Sequence, residues 1–491
     1  MFKNYNSLGF NNPYYFIEEG KFAIHQNFSK AMKSYHGEKN IDATAALEML
    51  NKEFIFGDRT VIENVNKTPW LAKPNTNLDA WEYDLAPEHG KEDLDEEEIA
   101  KILFKKICNE IELYIGDKKN IGILLSGGMD SRMVAGALDY LMKKGIINDL
   151  KVTAVTWGNS NTRDVIYAKR IADMLNWSWK HYPVTGKDLL NNIKETAIYG
   201  CEYSPIHLHA VPQIRDDNDF EVILAGSYGD SIGRAEYGGK KVSFLEPLIN
   251  NIHNVGFLFR EKIYQKSLKR AKEDIESYHK LFPRKEAYMQ NELDYQLHYM
   301  RRMLNPCMDL FNEKMEFYQV FSHPDVYGFM WSLSPQKRND QVYKHLLKEF
   351  VTNLGEVPWA RTGLPYGVKE GITDNHLVRH HTYVQIIQHE ILDDIKDSVL
   401  TEDFKKLGIF RYKSIEILFK LIKQFPINSL YYLEKVTWLA SLAEMTRLYN
   451  IKGKEVVTGF AFNEYEVIYE YMQRYIRNRT GAYLRKFKMI K

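Results

Sequence analysis

A short aliphatic run that stops at a double glycine constrains this chain more than any other feature. Residues Ile121 to Leu125 are continuous and apolar, the pattern of a strand covered on both faces. Ser126, Gly127, Gly128, Met129, Asp130, Ser131 and Arg132 follow directly. Gly127 and Gly128 let the backbone turn sharply and bring its N–H groups close to an anion. Met133, Val134, Ala137, Leu138 and Leu141 then recur at helical spacing. The order is therefore buried strand, tight turn, helix. An anion over the turn meets the positive end of that helix, whose first N–H groups have no partner inside it.

The turn is not a Walker loop, which needs a longer glycine-rich arc ending in Gly-Lys-Ser/Thr. It offers the Ser126 and Ser131 hydroxyls and the Asp130 carboxylate instead. A carboxylate beside a phosphate is repulsive unless a cation lies between them, so Mg²⁺ is implied. The pattern Ser-Gly-Gly-x-Asp-Ser resembles the pyrophosphate-binding loop of the N-type ATP pyrophosphatases, which cleave ATP to AMP and pyrophosphate.

Strand-like segments follow at Leu150 to Trp157, Lys180 to Val184 and Glu221 to Ala225. A helical pattern over Asp164 to Leu175 separates the first two, with Ile166, Ala168, Ile171 and Leu175 inward. Strands alternating with helices predict an α/β fold with a parallel, doubly wound sheet and ligands at the carboxyl ends of its strands. Before it, Phe22 to Ile24 and Phe54 to Ile62 read as strands and Thr44 to Phe54 as a helix. Leu94 to Glu98 open another helix whose apolar face is Ile99, Ile102, Leu103, Ile107 and Ile111. Beyond residue 240 the pattern turns mostly helical, broken by prolines. We divide the chain into a small α+β segment, 1–88, a body, 89–375, and a helical extension, 376–491.

Leu224, Ala225, Gly226, Ser227, Tyr228, Gly229, Asp230 and Ser231 repeat the theme of strand, glycine turn and acid. In a doubly wound sheet adjacent strand ends can put two such acids within one metal's reach, which makes Asp130 and Asp230 the candidate Mg²⁺ ligands. Together with Ala154 to Trp157 and the helix Ala168 to Leu175, these loops resemble the synthetase domain of the asparagine synthetase family. The likeness runs over roughly 40 to 370 and continues through Lys314 to Asp325, Ser332 to Lys337 and Val357 to Pro365.

That resemblance implies an adenine nucleotide α-hydrolase-like fold and an AMP-forming ligase. A carboxylate of a small molecule or peptide becomes an acyl-adenylate, and ammonia or an amine, possibly from a separate subunit, forms the amide. It assigns ATP and pyrophosphate to Ser126, Gly127, Gly128, Asp130, Ser131, Val155, Trp157 and Gly226. It makes Asp130, Glu316 and Arg361 catalytic, with Glu316 acting on the nucleophile and Arg361 near the place of the family's late lysine. Ser227 and Ser231 stand where the family carries acids. Phe2 stands where glutamine-hydrolysing members carry a cysteine nucleophile, so residues 1–88 read as a reduced amidotransferase-like remnant. The same activation can close a macrolactam or β-lactam ring, and loss of catalysis would leave a nucleotide-binding scaffold.

Composition narrows the rest. A net charge of +1 over 491 residues gives no general pull toward nucleic acid or anionic membrane. Cys108, Cys201 and Cys307 are too dispersed for a metal pair or disulfide framework, and no apolar run spans a bilayer, which together predict a cytoplasmic protein. His376, His380 and His381 read as a solvated helix face in preference to a Zn²⁺ site. The basic tail from Arg474 to Lys491 reads as a solvated terminal helix.

Overall fold

The most aliphatic segments of the chain lie side by side. In the computed structural model, which describes residues 4–8, 13–250, 255–374, 377, 381–453 and 464–486, they form a five-stranded parallel sheet. The N-terminal region comes first. There β1 (Tyr14–Glu18) pairs antiparallel with β2 (Lys21–His25) and β3 (Asn66–Lys67), and β4 (Ala72–Pro74) with β5 (Trp81–Tyr83). Helices α1 (Phe28–Ser34) and α2 (Ala43–Lys52) lie between β2 and β3.

The central sheet uses β6 (Asn120–Leu124), β7 (Lys151–Trp157), β8 (Ser178–Tyr182), β9 (Val222–Ala225) and, after the small hairpin β10 (Glu236–Tyr237) and β11 (Lys240–Lys241), β12 (Glu316–Gln319). Its order is β12-β9-β6-β7-β8. The chain walks outward from β6 to β8, then returns to the other side of β6. The strand order therefore reverses between β6 and β9, the place where such sheets open a crevice. Leu124 lies opposite both Val155 and Ala225, so the turns after β6 and β9 leave the sheet at one height.

Helix α3 (Glu96–Ile115) shows why these elements form. Asp95 caps it by accepting the Glu98 N–H at 2.7 Å, and Ile99, Leu103, Ile107, Ile111 and Ile115 are buried. A cap contributes about 1 kcal/mol, whereas each buried aliphatic side chain contributes about 1.5–3 kcal/mol, so packing decides this helix. Helices α4 (Met129–Lys143), α5 (Arg163–Met174), α6 (Gly186–Ile198) and α7 (Val211–Asp217) connect the strands, and α8 (Gly229–Gly233) follows the turn after β9. One buried apolar cluster runs from Leu8 to Tyr471, so the three sequence segments share a core. The Trp438 indole N–H donates to the Cys201 carbonyl at 2.9 Å, tying the C-terminal helices to the body.

Three expectations need correction. Phe54 to Ile62 is not a strand: the Phe56 N–H goes to the Glu48 carboxylate at 2.9 Å and the Gly57 N–H to His298 Nδ1 at 3.0 Å. Side chains take the donors that a ladder would use. Beyond 240 the chain is mostly helical, as expected, and Glu316–Gln319 adds the fifth strand along β9. His376 and His380 lie outside the described residues, and His381 is not on a helix. Its Nδ1 accepts the Asn159 N–H at 3.2 Å, over the Gly158 turn after β7. The terminal helix Glu464–Lys486 is not wholly solvated, since the Arg474 guanidinium stacks 3.4 Å from the Tyr431 ring centroid. Among the described residues no helix is long and apolar enough to cross a membrane.

Candidate active site

The turn after β6 is held in shape by its own hydroxyls. Ser126 Oγ accepts the Gly128 N–H at 3.1 Å and lies 3.1 Å from Ser131 Oγ, which accepts the Ser126 N–H at 3.2 Å. Arg132, fully buried, pins a second segment to this turn. It donates to the carbonyls of Leu354 (3.0 Å), Val357 (2.7 Å) and Pro358 (3.0 Å), and to Gly127 O at 3.3 Å. Burial lowers Arg132 to about 10, so the guanidinium stays charged at neutral pH. The Ala360 N–H adds a bond to Gly127 O at 3.1 Å. The segment carrying Arg361 is thus fastened to the loop by a residue of the loop's own helix.

The turn after β9 crosses the first turn at contact distance. A Cβ on Gly226 would fall 2.5 Å from the backbone of Asp130 and Ser131, and one on Gly229 would fall 2.5 Å from Asp130 Cβ. Glycine at both positions is what lets the acids converge. Burial, and then the neighbouring Asp130, push Asp230 up to about 7; burial also raises Asp130, against the pull of Arg234. Asp130 Oδ1 is buried without a hydrogen-bond partner. Two like charges at about 4 Å repel by roughly 4 kcal/mol at an effective dielectric of 20, more than the 0.5–1.5 kcal/mol or so that one N–H contact returns. Adding phosphate worsens the repulsion. Carboxylate oxygens suit a hard divalent cation, so the pair fits Mg²⁺.

One cation is already in place. Arg234, one helical turn after Asp230, has Nη2 3.7 Å from Asp130 Oδ2 and Nη1 3.7 Å from Asp340 Oδ1. Its guanidinium stands 5.2 Å from the Tyr343 ring centroid and 5.6 Å from that of Trp359. It is 6% exposed, and its Nε and Nη1 make no hydrogen bond. Arg361, singled out from the sequence, is 44% exposed and paired with Glu236 at 2.8 Å. Sequence reasoning missed Arg234, although its i+4 spacing from Asp230 puts both on one helix face.

The other candidates divide. Trp157 ends β7, partly exposed, and stacks on His209 at 5.4 Å. Val155 is buried and its carbonyl accepts the Leu125 N–H at 2.9 Å, so it anchors the first turn to the neighbouring strand. At Asp164, at the start of α5, burial lifts the carboxyl to about 6 against the pull of the Gly127 backbone N–H. Ser231 is buried and donates to Tyr228 O at 3.0 Å, which makes it part of the turn. Glu316 is not brought to the site. It begins β12 opposite Val222, at the amino edge of the sheet, with Lys118 at 3.5 Å. In a parallel sheet that edge faces away from the glycine turns.

Fold and site together define an α/β protein with a parallel sheet and a Ser-Gly-Gly-x-Asp-Ser turn at its topological switch point. The asparagine synthase family profile matches residues 115–362, about half of the chain and both glycine turns. The chain belongs to the asparagine synthase family, a family of ATP-dependent ligases. No curated protein matches it.

Proposed function

We propose that this protein activates a carboxylate with ATP and converts it to an amide. A carboxylate oxygen attacks the α-phosphorus of ATP, the bond from that phosphorus to the bridging oxygen breaks, and pyrophosphate leaves. Ammonia or an amine then attacks the acyl carbon, a proton is lost, and AMP departs. The observation that carries this reading is the convergence of Asp130 and Asp230, at the cost of mutual repulsion, over two contact-distance glycines. Nothing in a purely structural turn calls for two half-buried acids side by side.

The roles follow from position. The Ser126, Gly128 and Ser131 donors exchange their internal bonds for pyrophosphate oxygens at the α4 N-terminus. Asp130 and Asp230 would hold Mg²⁺, which neutralises phosphate charge when bound. Arg234 offers its two unpartnered N–H groups to the same oxygens, and its permanent charge suits it to hold an anion and not to transfer a proton. Trp157, at the rim, offers a ring to the adenine. The carboxylate is a small molecule or peptide, and the nitrogen comes as ammonia or an amine.

The test is product identity. Purified protein, Mg·ATP and a panel of carboxylates with ammonia are expected to give AMP and pyrophosphate in equal amounts. ADP and phosphate as stoichiometric products would overturn the adenylation. Glutamine alone is expected to yield no glutamate.

A further inference from the structure

A second cavity lies at the junction of the N-terminal region and the body, lined by none of the residues of the glycine turns. It has a volume of about 480 Å³, within the range of small-molecule sites. Its lining includes Tyr14 of β1, Lys67 of β3, Tyr199, Tyr203 and Asp309. Gln26, Lys30 and Glu313, all exposed, stand at its mouth.

The lining carries both signs of charge. Lys67, 3% exposed, sits 3.4 Å from Glu202 and 4.6 Å from the Tyr14 ring centroid. Glu202 also serves Arg302 at 3.0 Å, so two buried cations share one carboxylate. Asp309, also in the lining, accepts amide donors from Asn305 (3.0 Å) and Asn312 (3.5 Å), and no cation among the described residues lies within ion-pair distance. Burial raises its carboxyl to about 6 although Lys67 pulls it down. Tyr203, another lining residue, is 1% exposed and its hydroxyl has no hydrogen-bond partner. A buried hydroxyl left unpaired costs about 1–3 kcal/mol, so such groups ordinarily have a partner.

We infer that this cavity binds a small zwitterionic amino acid, its carboxylate toward Lys67, its ammonium toward Asp309, one polar atom on the Tyr203 hydroxyl, and its side chain among the tyrosine rings. A lone carboxylate would leave Asp309 unpaired, and a lone amine would lie against Lys67, whereas a zwitterion answers both ends without adding net charge. The cavity backs onto the turn of the candidate active site. Burial, and after it the Asp309 carboxylate, raise the hydroxyl of Tyr228, the left-handed residue (φ 72°) two positions before Asp230.

The experiment is calorimetry and thermal shift on the full chain without nucleotide, so its outcome is independent of the ATP reading. Each proteinogenic amino acid is tried singly at about 5 mM, enough to stabilise the fold visibly if Kd lies well below that. Butylamine and butyrate serve as single-charge controls. At least one amino acid is expected to raise Tm while both controls do not. Asp309→Asn, which keeps the shape, is expected to weaken that amino acid about a hundredfold, and Tyr203→Phe about tenfold. Failure of every amino acid to bind would overturn the assignment. So would a control binding as tightly as the best amino acid, or affinities within twofold of wild type in both variants.

Discussion

Both ends of the central sheet carry acids, and they are treated in opposite ways. At the amino edge, Glu221 accepts the Lys119 and Asn120 N–H groups at 2.6 and 2.8 Å, and those bonds hold its carboxyl below the usual range. Glu316 stands nearby with Lys118. At the carboxyl edge, burial raises the Asp130 and Asp230 carboxyls above the usual range, Asp130 adds to the rise at Asp230, and the Arg234 guanidinium stands 3.7 Å from Asp130. The first edge is finished by the chain's own donors. The second has donors and acceptors that the fold leaves uncompensated, which is the signature expected of a group reserved for a ligand.

The contrast can be broken most severely at Asp130. Asp130→Asn is expected to lower pyrophosphate release about a thousandfold with the circular dichroism spectrum unchanged; activity within tenfold of wild type would place the metal elsewhere. Next, Arg234→Met is expected to cost about a hundredfold in kcat, with partial rescue by added guanidinium ion. Loss of activity without any rescue would make Arg234 a structural residue.

A smaller effect should appear in stability. Because the Asp230 carboxyl is raised, the folded state holds an extra proton between the ordinary value of 3.8 and about 7, and stability falls as pH rises through that window. Asp230→Asn is therefore expected to raise the metal-free Tm at pH 7.5 by roughly 1–3 °C. Mg²⁺ should stabilise the wild type at pH 7.5 but not at pH 5, and should not stabilise the variant. A Mg²⁺ effect of equal size at both pH values would contradict the pairing. The smallest change is expected at the other edge: Glu316→Gln should leave kcat within about twofold, its ion pair with Lys118 being worth at most about 1 kcal/mol. A hundredfold loss there would mean that the two edges cooperate.

The glycine loop was legible because its meaning is local. Five apolar residues, two glycines and a helical pattern dictate strand, turn and helix within one stretch, and Ser126 to Ser131 find one another inside it. Asp230 was legible for the same reason. Glu316 was misplaced because a motif-like stretch says nothing of which end of its strand meets the ligand; the parallel register with Val222 decides that. Phe54 to Ile62 misled because its alternating pattern suits a strand, while buried Glu48 and His298 claim its N–H groups.

By itself the sequence determined the class of fold, the two glycine turns and the acids that cap them, since strand, turn and helix rest on contacts between residues close in the chain. The tertiary structure alone decided which arginine faces those acids, where Glu316 lies, and that residues 14 to 67 and 199 to 313 enclose a cavity between them. Those facts depend on side chains distant in sequence meeting across the core, and no local pattern records such a meeting.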